Sequence, residues 1–298
     1  MAAQSFLDRE FLTDRFDLLP PGALLARSDL AEQALEGLVR ADRYAATTPL
    51  TCGGEAADIR DRPEGQVVDQ LVFGELFDVL ERHGALAWGR SRRSGVVGWA
   101  EVETLAAPAE APTHRVAVAS ADVFSGPSGG AVVANLPMNA LVRGAGRRDG
   151  LVEVAGLGWI ASTDLADFGV FERDLAASAE RFIGAPFRLG GRTGEGTDCS
   201  GLVQQALYAA GLAGPRFAGE QAQLGVAVEI SQARRGDLVV WRSGEVEPWG
   251  GHAGILLDAQ TVIHASSAAG AVVTEALAEV DARYRAAGFE APVVRRLS

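Results

Sequence analysis

The chain has 298 residues, enough for two or three domains, and its 48% hydrophobic and 22% charged content is that of an ordinary globular protein. A net charge of −12 argues against nucleic acid or an anionic membrane as partner, because both call for a basic face. Two cysteines, Cys52 and Cys199, and the lack of any apolar run of signal-peptide or membrane-spanning length predict a cytoplasmic protein without a structural disulfide.

Residues 1–46 read as an N-terminal arm, broken at Pro20-Pro21-Gly22. Leu30, Ala34, Leu35 and Leu38 recur at helical spacing behind Ser28 or Asp29, which predicts one short helix. Residues 47–108 carry short alternating runs at 66–75, 76–80, 85–90 and 95–99, separated by glycine and polar residues. They predict a small antiparallel barrel. His83 reads as a solvated turn residue. Residues 106–112 are a linker by their Ala and Pro content. Residues 113–168 repeat the texture, and Gly158-Trp159-Ile160 echoes Gly98-Trp99-Ala100. Two copies of one barrel account for both. His114 receives no role.

From Phe171 the pattern changes. Leu175, Ala176, Ala179, Phe182 and Ile183 form a helical stripe ended by Gly184 and Pro186. A glycine-rich loop, 190–196, leads to Thr197 and Asp198, both good helix caps. Leu202, Val203, Ala206, Leu207 and Ala210 then mark a buried helix that stops at Gly211. Strands are predicted at 236–241, 253–257, 261–265 and 271–274. Helices first and an antiparallel sheet afterwards make 171–298 an α+β domain.

Cys199 falls in the first turn of the buried helix, where free N–H groups and the helix dipole favour an anion. This placement predicts a thiol that ionises easily and acts as a nucleophile. His252 and His264 fall on neighbouring strands joined across Asp258-Ala259-Gln260. If that loop has an odd number of residues, period-two alternation puts both on one sheet face, so that His252 can take the thiol proton while His264 orients it. Asp198 is a helix cap, or a carboxylate for a cationic substrate group. Ser200 offers a hydroxyl or a backbone N–H, and the Cys199 N–H is a candidate oxyanion donor. No metal-ligand spacing or phosphate loop occurs, so no cofactor is expected.

Asp198-Cys199-Ser200-Gly201-Leu202-Val203-Gln204, Gly236-Asp237-Leu238, Gly251-His252-Ala253-Gly254-Ile255 and Ile263-His264-Ala265 resemble the NlpC-type (NlpC/p-sixty) cell-wall cysteine peptidases. The front repeats look like the bacterial Src-homology-3 (SH3-like) barrels that precede that domain, with 70–75 similar to the first barrel's signature. The resemblance implies a multidomain α+β protein: a papain-like NlpC-type catalytic domain at 171–298 behind two SH3-like barrels, 47–108 and 113–168. It implies hydrolysis of short murein-derived peptides between γ-D-glutamate and a diamino acid, in cell-wall recycling, with a free N-terminal L-alanine preferred. Cys199 would be nucleophile, His252 base and His264 orienting residue, with Asp198 and Ser200 at the substrate. Phe187, Leu189, Val96 and Ala218 stand where that family has polar or aromatic groups, and the loop 242–250, with Pro248 and Trp249, is longer than usual. The alternatives are a diverged amidase or peptidase on another γ-glutamyl or amide substrate, and an inactive peptide-binding protein. Oligomeric state is not legible.

Overall fold

The alternating runs of the front segment pair into one seven-stranded antiparallel sheet in the computed structural model, which describes residues 24–108, 110–244 and 250–297. Its strands are Thr48–Cys52, Ala56–Arg60, Val67–Val72, Leu76–His83, Leu86–Ser91, Val97–Glu101 and Leu105–Ala106. Leu50, Ile59, Leu71, Phe77 and Ala100 fill a core of its own. Cys52 lies in that core, unpaired, and burial pushes its thiol up to about 12. His83 is exposed at the end of its strand.

The helix expected in the arm does not form. Gln33–Leu35 make a single 3-10 turn between extended residues, and Gly37 takes a φ of 80°. Leu25 and Leu30 bury against Trp88 and Val97 on the outside of the front sheet. A helix this short is marginal by itself, and contact with the neighbouring sheet decides its conformation. Residues 1–23, including Pro20-Pro21-Gly22, lie outside the described residues, as does Ala109 in the linker.

The next segment folds as a five-stranded and a three-stranded antiparallel sheet around Val116, Val123, Leu136, Val142, Val154 and Ile160. Its ending parallels that of the front sheet. Strand Val97–Glu101, 3-10 turn Val102–Thr104 and strand Leu105–Ala106 correspond to Gly158–Ala161, Ser162–Asp164 and Leu165–Asp167.

The last segment is a six-stranded antiparallel sheet in the order Val226–Val228, Val293–Arg296, Leu238–Arg242, Gly251–Leu256, Thr261–Ser266, Ala271–Ala276. On one face Leu238, Val240, Ala253, Ile255 and Ile263 pack against Leu202, Val203, Ala206 and Leu207 of the helix Cys199–Ala209. On the other, Val239, Trp241, Leu256 and Val262 pack against Leu277 and Val280 of the helix Leu277–Ala286. Among the described residues the other α-helices are Leu175–Glu180 and Ala218–Gln221. The protein is therefore richer in strand than an α+β reading expects.

Charge joins the front sheet to the last segment. Glu75 pairs with Arg192 and Arg93, and Asp69 approaches Arg216 at 3.0 Å and Arg192 at 3.4 Å. Asp69, Glu75, Arg192 and Arg216 are all at most 1% exposed. The Arg192 backbone N–H donates to Gln70 Oε1 at 2.9 Å. Gly190 has a φ of 77°, and a Cβ there would stand 2.3 Å from the carbonyl oxygen of Val67, so only glycine permits this approach. The middle segment docks through Asn139, whose amide donates to the carbonyl and Oε1 of Gln205, both at 2.9 Å. Arg192→Met takes one of its two counter-charges from each of two buried carboxylates, so we expect it to lower unfolding stability by about 3–5 kcal/mol, read by chemical denaturation.

Candidate active site

Asp198 caps the Cys199–Ala209 helix, accepting the Gly201 N–H at 2.7 Å. Gly201 serves packing: a Cβ there would meet the Gly191 carbonyl oxygen at 2.3 Å. Cys199 opens the helix at the start of strand Gly251–Leu256, and its thiol lies 3.9 Å from the Gly251 carbonyl.

His252 and His264 project from one sheet face. Ile255 pairs with Ile263, which sets Gly254 opposite His264 and His252 diagonal to it. Gly254 presents no side chain there, and the imidazoles meet at 2.7 Å, His252 Nε2 to His264 Nδ1. His264 Nε2 lies 2.8 Å from Glu275 Oε2, and Arg283 holds the Glu275 carboxylate. This face also carries Trp241 and the Leu277–Ala286 helix, whereas the Cys199 helix packs on the opposite one. Thiol and imidazole therefore converge from two sides of the sheet at the end of one strand. Both line a cavity of about 390 Å³.

The acceptors dictate the tautomers. The bond from Arg283 first, and then that from His264, keep Glu275 below the usual carboxylate range against the opposing effect of burial, so it accepts and His264 Nε2–H donates. His264 Nδ1 is then an acceptor, and His252 Nε2–H donates to it. The lone pair of His252 is left on Nδ1, the nitrogen available to a thiol.

Two family models match the chain. That of the NlpC/P60 family covers residues 184–289, and that of the bacterial dipeptidyl-peptidase Sh3 domain covers 59–105. Residues 184–289 form an NlpC/P60 domain. The murein DD-endopeptidase MepS/murein LD-carboxypeptidase of Escherichia coli K12 is 40% identical over 92 residues, 30% of this chain and 47% of that one. A γ-D-glutamyl-L-lysine dipeptidyl-peptidase of Bacillus subtilis is 32% identical over 91 residues, 30% of this chain and 31% of that one. The chain thus spans half or less of the length of these curated relatives. A solved NlpC/P60 family protein from Bacillus cereus shares the fold, with a TM-score of 0.71 over 84% of this chain and 99% of that one, at 17% identity.

Within the NlpC/P60 domain the resting charges differ from the expectation of an easily ionised thiol. Burial, then the Asp198 carboxylate, pushes the Cys199 thiol up to about 12. Desolvation outweighs the helix dipole here. Burial, then His264 and Arg283, holds His252 well below its ordinary value. Both shifts favour the uncharged forms.

Asp198 and Ser200 sit beside the thiol but face inward. Arg216 grips both Asp198 oxygens, at 2.9 and 2.6 Å, and donates to Ser200 Oγ at 2.8 Å. Phe187, Leu189 and Ala218 line the cavity, while Val96 is buried in the front core. Residues 245–249, including Pro248 and Trp249, lie outside the described residues. Sequence reasoning missed Arg216, Glu275 and Tyr284. Tyr284 stacks on His252 with ring centres 4.1 Å apart and an interplanar angle of 14°. Only Glu275 left a signal: alternation along its strand puts it on the face of His264.

Glu275→Gln removes the charged acceptor that sets the relay, and we expect kcat to fall about 10- to 100-fold with KM little changed, in steady-state assays. Because His252 titrates below its ordinary value, it stays a neutral base as pH falls through 6.5. The acid limb of the kcat/KM profile is expected below pH 6.5, protonation of His252 ending activity only there.

Proposed function

We propose that the chain is a cysteine peptidase that hydrolyses the bond between γ-D-glutamate and a diamino acid in short murein peptides. The observation that carries this reading is the cavity that Cys199 and His252 both line, with His252 bonded onward to His264 and His264 to Glu275. The γ-D-glutamyl-L-lysine bond named for the B. subtilis relative supports the choice of bond, and the murein activity of the E. coli relative supports the polymer of origin.

The sulfur attacks the scissile carbonyl as its proton passes to His252 Nδ1. Proton transfer and attack are coupled, because burial favours the uncharged form of both groups. The Cys199 N–H, at the first helical position and without an intrahelical acceptor, faces the developing oxyanion. His252 returns the proton to the leaving amine, and a water activated by the same nitrogen hydrolyses the thioester. His264 and Glu275 stabilise the imidazolium in between.

The front domain walls the cavity with Gln66, Val67 and Val68. A cavity closed on that side favours short released peptides, as recycling requires, over the intact polymer. The same reading takes 113–168 as a second SH3-like barrel, supported by the matching strand, 3-10 turn and strand at the end of both segments.

Incubation with L-Ala-γ-D-Glu-diaminopimelate, free and N-acetylated, followed by mass spectrometry, tests the assignment. We expect a new diaminopimelate product, and loss of at least about a thousandfold of the rate in Cys199→Ala. Turnover that survives the substitution would remove the cysteine mechanism.

A further inference from the structure

A second cavity, of about 380 Å³, lies at the far end of the Cys199–Ala209 helix, where all three segments meet. Arg93 comes from the front segment, Arg115, Leu141 and Phe168 from the middle one, and Tyr208 and Leu212 from the last. Its described lining holds two guanidiniums and no carboxylate. Arg93 Cζ lies 4.0 Å over the Tyr208 ring, and its Nη1 pairs with Glu75 at 3.0 Å. Arg115 is 4% exposed and less well partnered. Its Nε donates to the Val170 carbonyl at 3.3 Å, and its Nη2 lies 3.5 Å from Glu172, which Arg181 approaches more closely at 3.0 Å. Two guanidiniums thus share one carboxylate. Arg115 Nη1 and Tyr208 Oη are buried with no hydrogen-bond partner among the described residues. Burial, against the opposing pull of Glu172, draws the Arg115 guanidinium below its ordinary value, so its charge is incompletely compensated. The carbonyls that end the helix would oppose an anion, but they are taken: the N–H groups of Ala210, Gly211 and Leu212 satisfy those of Ala206, Leu207 and Tyr208, and the Glu172 N–H that of Ala209.

We propose that this cavity binds a carboxylate carried on a compact apolar body, at the opposite end of the helix from Cys199. A buried donor without a partner costs free energy that an incoming acceptor recovers. A carboxylate matches the planar fork of a guanidinium, gives Arg115 a counter-charge of its own, and accepts from Tyr208 Oη. Leu141 and Leu212 offer the body an apolar wall. Phe168, Val170 and Phe171 extend it, each more than half exposed, and together they make a patch rather than scattered residues. Exposed side chains change rotamer within nanoseconds, so the Phe168 and Phe171 rings are the part of the wall that admits a ligand to the shielded Nη1 and Oη. A free small acid and the C-terminal residue of a peptide present this same chemistry. The two cavities have no lining residue in common, so the inference stands apart from the peptidase reading. A ligand touching all three segments binds their docked arrangement and stabilises it.

Isothermal titration of the full chain with 3-phenylpropionate, its uncharged amide and inorganic phosphate tests this. We expect the acid to bind with a Kd of about 1 mM or tighter, and to raise the melting temperature. The amide, which lacks the charge, and phosphate, which lacks the apolar body, should each bind at least about tenfold more weakly. Leu212→Glu sets a like charge at the exposed rim and should weaken the acid at least about tenfold, whereas Leu212→Gln should bind it as the wild type does. Cys199→Ala should also bind it unchanged. A peptide ending in phenylalanine with a free carboxylate supports a chain terminus as the source if it displaces the acid, and a free small acid if it does not. No binding of the acid at about 10 mM overturns the inference. So does equal binding of acid and amide, phosphate binding as tightly as the acid, or indifference to Leu212→Glu. Loss of binding in Cys199→Ala would put the acid in the catalytic cavity, with the same consequence.

Discussion

Asp69 and Glu75 of the front sheet meet Arg192, Arg216 and Asp198 of the NlpC/P60 domain almost entirely out of water. Desolvating such groups costs several kcal/mol each, and mutual attraction offsets this only when every charge has a counter-charge in place. Shifting the two domains would strand charges, so the cluster specifies one docking arrangement more than it adds stability. Much else follows from that arrangement. It brings Val67 against Gly190, shapes one wall of the cavity, and occupies the carboxylate next to the thiol.

The proposed catalytic line is arranged differently. It begins with two groups whose burial opposes charge, Cys199 and His252, and ends at the charged pair of Glu275 and Arg283. Placing the permanent charge at the far end lets the relay orient the imidazole without ionising the thiol in advance. Tyr284 and Trp241 wall His252 with aromatic rings and keep water from it. The helix dipole at Cys199 still favours an anion, but acts on a sulfur whose burial opposes charge. On the proposed mechanism, ionisation is thereby tied to arrival of a carbonyl.

The environment around these groups is mostly apolar. Phe187, Leu189 and Ala218 stand where polar or aromatic groups were expected, and Asp198 is turned to Arg216. A site of this kind discriminates through shape and through the cost of desolvating charge, more than through hydrogen bonds to the substrate.

What the sequence determined by itself was what local pattern encodes. Capping residues and an apolar stripe placed Cys199 at a helix start, and period-two alternation set His252 and His264 on one face. The short strands of the front segments were legible in the same way. Tertiary structure alone decided the rest. The arm's helical spacing gave way to packing of Leu25 and Leu30 on Trp88. The upward shift of the thiol comes from burial by neighbours far along the chain. Arg216 reaches Asp198 from 18 residues away, and Asp69 joins it from another domain. No periodicity records such a meeting, since the pairing of buried charges depends on how domains dock and not on the spacing within any one element.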